Sequence, residues 1–218
     1  MKIHILVEGP SEETFVIEVL RPHLQKHGVE PNPVLVTTKR TRGGPTFKGG
    51  VSSYQKIKYD LHLLLRDTSA KLVTTMLDFY RLPRDFPGRR TLPRGSCYKR
   101  VDYLEAKFQA DIGHRKFLPY LQLHEFEAMV FAGPEHIARA FPERNALQDL
   151  RQIMDRVKSP EEINDKMPPS KRLRKLVPEY EKPLHGPLII LEIGLDRIRG
   201  ECPHFDNWLT KLESLGRS

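Results

Sequence analysis

The chain has few of the residues that staple, anchor or export a protein. Its 218 residues include only 2 cysteines, Cys97 and Cys202, too few for a disulfide framework or a thiolate zinc site of their own. No apolar run is long enough to cross a bilayer. The N-terminus has no h-region or cleavage site of a signal peptide, and Glu8 and Glu12 arrive too early for one. The expected compartment is therefore the reducing cytoplasm, that of a prokaryote. Gly43-Gly44 and Gly49-Gly50 flank Lys48 without the P-loop form, so nucleotide hydrolysis is not indicated. No serine sits in a nucleophile elbow. His124, His185 and His204 lack zinc spacing and read as structural, although His124 directly precedes an acid.

Positive charge is in ample supply. Lysine and arginine number 36 against 28 acids, a formal net charge of +8. That excess favours a polyanionic partner over a cationic one. It is also clustered. Lys39-Arg40-Thr41-Arg42-Gly43-Gly44 forms one basic loop. Arg81, Arg84, Arg89, Arg90, Arg94, Lys99 and Arg100 form a second cluster, and Lys171-Arg172-Leu173-Arg174-Lys175 a third. Basic loops scattered among acidic strand ends are what phosphate contacts around a metal site require. Ser170-Lys171-Arg172 reads equally as a phosphate clamp at a helix start or as a solvated basic helix end.

Periodicity gives an alternating β-α pattern. Ile3 to Val7 is β-branched and apolar, as a buried parallel strand should be. Gly9-Pro10 forces a turn, and Ser11 reads as the N-cap of a helix with Glu12 and Glu13 in its first turn. Pro33 to Thr38 reads as a second strand and Lys39 to Gly50 as a Gly-rich loop. Tyr54 to Leu65 has helical spacing. Lys71 to Leu77 is a strand stopping at Asp78, residues 97 to 111 a helix, and Phe117 to Leu123 a strand running into His124-Glu125-Phe126-Glu127. This order predicts a parallel sheet with helices on both faces. Beyond Gly133 the pattern turns helical: Glu135 to Ala140, Ala146 to Val157, Lys171 to Leu176 and Phe205 to Leu215. Leu188 to Ile193 reads as strand or helix. The expected organisation is an α/β domain over 1–132 and a helical cap over 133–218, with a soft boundary that also allows a single domain.

Glu8, Asp78 and Glu125 each follow an apolar strand directly. In a parallel sheet the carboxyl ends of the strands share one edge, and neighbouring strands lie about 4.8 Å apart. Acids there can share one divalent ion; Mg²⁺ takes oxygen ligands and keeps several waters. Such an ion can bridge a phosphodiester and activate water. Each acid alone reads as a solvated or capping residue; the three together point to a metal site. Glu12, four residues after Glu8, can join them or simply favour the helix N-terminus. Glu127 can face the same way as Glu125 or begin the next helix. Tyr80 can hydrogen-bond a ligand or pack, and Trp208 reads as core or an interface anchor.

Glu8-Gly9-Pro10-Ser11-Glu12 resembles the first acidic motif of Toprim domains, the metal-binding fold of topoisomerases, primases and overcoming-lysogenization-defect nucleases. Asp78-Phe79-Tyr80 stands where that fold has its Asp-x-Asp pair. Nearly the whole chain resembles the DUF4276 family of bacterial Toprim-like proteins. The resemblance implies a Toprim-like parallel sheet and an Mg²⁺ or Mn²⁺ site. It makes Glu8 the first ligand and acid/base, Glu12 an accessory ligand, Asp78 the second ligand and Lys171 a phosphate-binding or transition-state lysine. It also implies pairing with an ATPase in phage defence. Tyr80 departs from the pattern, which leaves Glu125 or Glu127 to replace the second aspartate and leaves open whether there are one or two metals.

Two main readings result, beside a third, phosphotransfer on a small nucleotide. In the first, the chain is a metal-dependent nuclease acting on DNA or RNA. Its catalytic residues are Glu8, Asp78 and Lys171, and its metal ligands Glu8, Glu12, Asp78, Glu125 and Glu127. The phosphate contacts are Arg40, Arg42, Arg89, Arg90, Lys171 and Arg172. In the second, it is a non-catalytic Toprim-like subunit that binds nucleic acid or an ATPase.

Overall fold

A computed structural model describes residues 1–37, 53–163 and 167–217. Its centre is a parallel sheet in which β1 (Lys2–Val7) lies between β2 (Glu30–Leu35) and β3 (Leu72–Asp78). Beyond β3 come two short pieces, β4 (Phe117–Leu118) and β5 (Leu121–Gln122). The chain leaves β1 toward β2 on one side and returns to β3 on the other. That reversal makes the carboxyl ends of β1 and β3 a switch point, where open α/β sheets form their sites.

Alternation along the strands divides the core into two layers. Ile3, Ile5 and Val7 of β1 join Leu72 and Met76 of β3 in one layer, while Leu6, Val73 and Leu77 face the other. The second layer is closed by α3 (Tyr54–Leu65) and α4 (Cys97–Ile112), through residues such as Ile57, Leu61, Leu104 and Phe108. The first is closed by α1 (Pro10–Phe15), α2 (Arg21–Gln25) and helices from beyond residue 126. These are α5 (Glu127–Val130), α6 (Pro134–Ala140), α7 (Leu147–Met154), α8 (Pro169–Leu176), α9 (Lys182–Ile193), α10 (Leu195–Glu201) and α11 (Pro203–Ser214). Phe15 meets Phe126 and Phe205 edge to face or tilted, so residues from both sides of position 133 share this core. Cys97 and Cys202 are free thiols. Among the described residues no helix is long and apolar enough to cross a membrane.

Several boundaries differ from the sequence reading, each for a local reason. The first helix starts at Pro10, with Gly9 as its N-cap, and Ser11 is buried inside the first turn. Proline at the first helical position loses nothing by lacking an N–H, so it sets the start. Between α1 and α2 runs a π-helical stretch, Val16–Leu20, closed by Arg21 N–H donating to Val16 O. Pro22 follows at once; lacking an N–H, it cannot make the α-helical bond. The second strand begins at Glu30, three residues earlier than read, and the basic loop read at Lys39 to Gly50 lies outside the described residues. The strand read over Phe117 to Leu123 is broken at Pro119, which has no donor for the ladder. Thr75 fills the gap: its hydroxyl donates to Tyr120 O at 2.8 Å and accepts from Tyr120 N–H at 3.0 Å. Leu188 to Ile193 is helical, with Pro187 inside α9.

Thr75→Val keeps the shape and deletes both bonds. Each buried group left without a partner costs about 1–3 kcal/mol, so we expect a loss of about 2 kcal/mol or more, seen as a lower urea midpoint at unchanged slope. A loss under about 0.5 kcal/mol would show that water satisfies Tyr120 instead.

Candidate metal centre

Parallel pairing sets Val7 opposite Met76, so the residues just after β1 and at the end of β3 meet. Glu8 Oε2 accepts a hydrogen bond from Asp78 N–H at 3.1 Å. Asp78 Oδ1 accepts from Phe126 N–H at 2.9 Å, which draws the His124–Glu127 turn onto the strand end. That turn is strained. His124 has φ +60°, a left-handed value that costs a residue other than glycine about 1–3 kcal/mol. Its carbonyl is held by Tyr80 N–H at 2.9 Å. Glu12 comes from the first turn of α1, and Glu127 opens α5. Glu12, Asp78 and Glu127 are all buried.

A lysine that the sequence reading passed over stands among them. Lys182 Nζ lies 2.8 Å from Glu12 Oε1, 3.2 Å from Asp78 Oδ2 and 3.5 Å from Glu127 Oε2. It is the first residue of α9, and the helix is fixed by a close approach one turn on. A Cβ at Gly186 would fall 2.9 Å from the Tyr180 hydroxyl and 3.0 Å from the Phe126 ring. The same ring lies 5.4 Å from Lys182 Nζ, a cation–π distance.

Electrostatics follow from the crowding. Burial and the charges of Asp78 and Glu12 push Glu8 up to about 8, against the pull of Lys182 and of the Asp78 N–H. Burial raises Glu12 as well, with Asp78 adding and Lys182 opposing. Burial takes Glu127 to about 7; Lys182 opposes this, and Asp78 and Glu125 add to it. Burial alone would lower Lys182, but Asp78, Glu12 and Glu127 outweigh it and hold the ammonium well above its ordinary range. Four carboxylates thus crowd one ammonium that pairs with three of them, and burial, with neighbouring negative charge adding to it, raises Glu8 and Glu127 toward neutral pH. Hard oxygen donors with unmet negative charge suit a divalent cation of the Mg²⁺ type.

The family model for "Domain of unknown function (DUF4276)" matches residues 7–213. The chain belongs to the DUF4276 family. Nothing among the curated proteins matches it. Solved structures similar to this DUF4276 chain include the C-terminal region of the Burkholderia pseudomallei OLD protein, 16% identical, covering 98% of each chain with a TM-score of 0.45. Another is the C-terminal region of the Xanthomonas campestris pv. campestris OLD protein, phased with iodine, 21% identical, covering 95% of each chain with a TM-score of 0.41.

The remaining residues singled out from the DUF4276 sequence are placed as follows. Glu125 is buried, and its Oε2 accepts from Ser170 N–H at 3.0 Å. It thereby caps α8, whose N-cap Pro168 and first residue Pro169 offer no donors. Lys171 is exposed on α8, and Arg172 donates from Nε to Met167 O at 2.7 Å. The Arg89 guanidinium carbon lies 5.9 Å from the ring centre of Phe79, the residue after Asp78, and that of Arg100 lies 5.2 Å from it. Arg90 is exposed beside Arg89. Arg40 and Arg42 lie outside the described residues. Among the described residues, two groupings elsewhere bring three ligand atoms within 4.8 Å of one another, and each already has a member engaged. His204 of the Asp102–Glu105–His204 group binds Glu105 at 3.0 Å, and Glu213 of the His23–His27–Glu213 group holds Arg199.

Glu8 keeps its proton up to about pH 8 in the folded chain but releases it near 4.5 when unfolded. Between those values the folded state holds more protons, so metal-free stability falls as pH rises through the window. Glu8→Gln takes away that dependence. The variant should match the wild type near pH 4.5 and exceed its thermal midpoint at about pH 9 in chelator. Parallel curves for the two proteins would refute the crowding.

Proposed function

We propose that the chain is a metal-dependent nuclease that cleaves DNA or RNA phosphodiesters. The observation behind this is the convergence of Glu8, Glu12, Asp78 and Glu127 at the carboxyl ends of adjacent parallel strands, with more negative charge than Lys182 neutralises. Glu8, Asp78, Glu12 and Glu127 would hold Mg²⁺ or Mn²⁺, with Glu125 behind Glu127 as a further carboxylate that steadies α8. When bound, the ion supplies Lewis-acid polarisation of a phosphoryl oxygen and an activated water. The chain's own residues do the rest. Asp78 is oriented by Phe126 N–H and orients Glu8 through its own N–H. Glu8, able to carry a proton near neutral pH, is suited to move one to or from a reacting oxygen. Lys182 brings a fixed positive charge toward a phosphoryl group. Arg89 and Arg90, on the turn beside Phe79, and Lys171 and Arg172, on α8, supply phosphate contacts. Arg40 and Arg42 belong to the same proposal on sequence grounds.

A cytoplasmic location and an ATPase partner in phage defence extend this reading through the Toprim resemblance of Glu8 to Glu12. The alternative, a non-catalytic subunit binding nucleic acid or an ATPase, draws on the ion pairs of Lys182 with three of the acids.

Cleavage of plasmid DNA, single-stranded DNA and tRNA with Mn²⁺ or Mg²⁺ separates the two. The wild type should cut at least one substrate, and Glu8→Gln and Asp78→Asn should cut it at least about 100-fold more slowly. Equal cutting by wild type and variants would mean a contaminant, and no cutting of any substrate would favour the binding subunit.

A further inference from the structure

We infer that His23, His27 and Glu213 form a second metal site, of the imidazole-rich kind that takes Zn²⁺, which ties the end of α2 to α11 at the amino ends of the strands. His23 lies in α2 and His27 two residues past its end, where the backbone still turns: His27 N–H donates to Leu24 O at 2.9 Å. A spacing of four puts both side chains on one face. Their ring centres are 5.1 Å apart. Glu213 comes from the last turn of α11, 190 residues after His23, and its Oε1 lies 2.6 Å from His23 Nε2. A nitrogen of each ring and an oxygen of Glu213 all lie within 4.8 Å of one another.

The bond from Arg199 to Glu213 does not close this group. Arg199 Nη1 meets Oε1 at 2.5 Å, but Oε2 has only a longer contact, 3.4 Å from Nη2, and a carboxylate has about four acceptor directions. Arg199 also pairs with Asp206 at 2.5 Å. One guanidinium against two carboxylates leaves one negative charge for an arriving cation. Among the described residues the His27 ring makes no hydrogen bond or ion pair, so its nitrogen is available. The two chain segments are also held together without an ion. Gly216, just past α11, leaves no room for a Cβ against the His27 carbonyl, and the Met1 ammonium donates to Gly28 O at 2.6 Å. Two imidazoles and a carboxylate suit Zn²⁺, with water as fourth ligand, whereas the all-oxygen acidic centre suits Mg²⁺ or Mn²⁺. Ligand atoms around tetrahedral Zn²⁺ lie about 3.3 Å apart, so the side chains need shifts on the order of 1 Å. The ion takes the place of the proton between His23 and Glu213. The site is distinct from the acidic centre. Lys2 pairs with Glu30, three residues after His27, whereas Glu8 follows the other end of β1; six strand residues span about 20 Å.

The test uses Zn²⁺ and the full chain. Zn²⁺ at about a hundredfold excess over its Kd should raise the thermal midpoint of the wild type by about 5 °C or more. Glu8→Gln, which probes the nuclease reading, should keep that rise, and His27→Gln should lose it, with Zn²⁺ affinity at this site at least about tenfold weaker by calorimetry. His27→Gln deletes no side-chain hydrogen bond among the described residues, so its midpoint in chelator should match that of the wild type. Ring ¹⁵N spectra of the wild type need no variant: the His23 and His27 signals should move together on adding Zn²⁺ and stay in place on adding Mg²⁺. Unmoved ring signals would overturn the inference. So would a Zn²⁺ rise that persists in His27→Gln, or one that Glu8→Gln abolishes, since the ion would then sit elsewhere.

Discussion

Carboxylates repel one another most where water is excluded, and this fold gathers them there. Moving a single ionised carboxylate into an apolar interior costs several kcal/mol even after relaxation, unless a cation lies close by. Glu12, Asp78 and Glu127 are buried within reach of one ammonium, on Lys182. Much else in the first core layer can be understood as holding that ammonium in place. Gly186 is bare so that α9 can lie against Phe126 and Tyr180, and Phe126 is itself tied to Asp78 through its N–H. A side chain at 186 would push the helix start, and the positive charge with it, off the acids. The charge pattern and the apolar packing are therefore one constraint.

The sheet supplies the other half of the geometry. Parallel strands end together, and the reversal of direction after β1 leaves its carboxyl end beside that of β3 rather than beneath a crossover. Stability would be served as well by a polar uncharged residue at either end. Instead there is an acid at each, a third from the helix that follows β1, and a fourth on a turn carrying a left-handed histidine. Strain of that kind at His124 persists only where surrounding bonds over-determine it, here Tyr80 N–H to the His124 carbonyl and Phe126 N–H to Asp78.

Sequence pattern sufficed for the strands β1 and β3, largely apolar runs buried on both faces, and for the helices α3 and α4, each of which buries one stripe. It placed Glu8 and Asp78 at strand ends because the apolar runs stop there. It did not disclose Lys182. Glu181-Lys182-Pro183 looks locally like a solvated turn, and the lysine's partner Asp78 lies 104 residues away. A charge paired across the fold leaves no periodic trace; the one available signal was a lone lysine opening the apolar stretch from Leu184 to Ile193. Lys171, in a basic run, drew the eye instead and is exposed. Glu125 was legible as an acid after a strand, but not as the cap of a helix whose N-cap and first residue are prolines. Pro119 was the readable sign that the fourth strand would break, since it cannot donate to a ladder.

Tyr80, where the Toprim pattern has an acid, fits this arrangement. Period-two alternation would stack residue 80 behind residue 78 only if the strand continued. It ends at Asp78, and a 3-10 turn, Phe79–Arg81, begins. Tyr80 spends its N–H on the His124 carbonyl, fastening the turn that delivers Glu127. A carboxylate at 80 would add negative charge beside acids that burial and neighbouring carboxylates already raise toward neutral pH. With Glu127 arriving from one side and the Lys182 ammonium from the other, the centre gains its fourth oxygen group and its fixed positive charge from outside the strand. Two distant segments thus bring a carboxylate and an ammonium to the end of the strand, where Tyr80 adds no further acid.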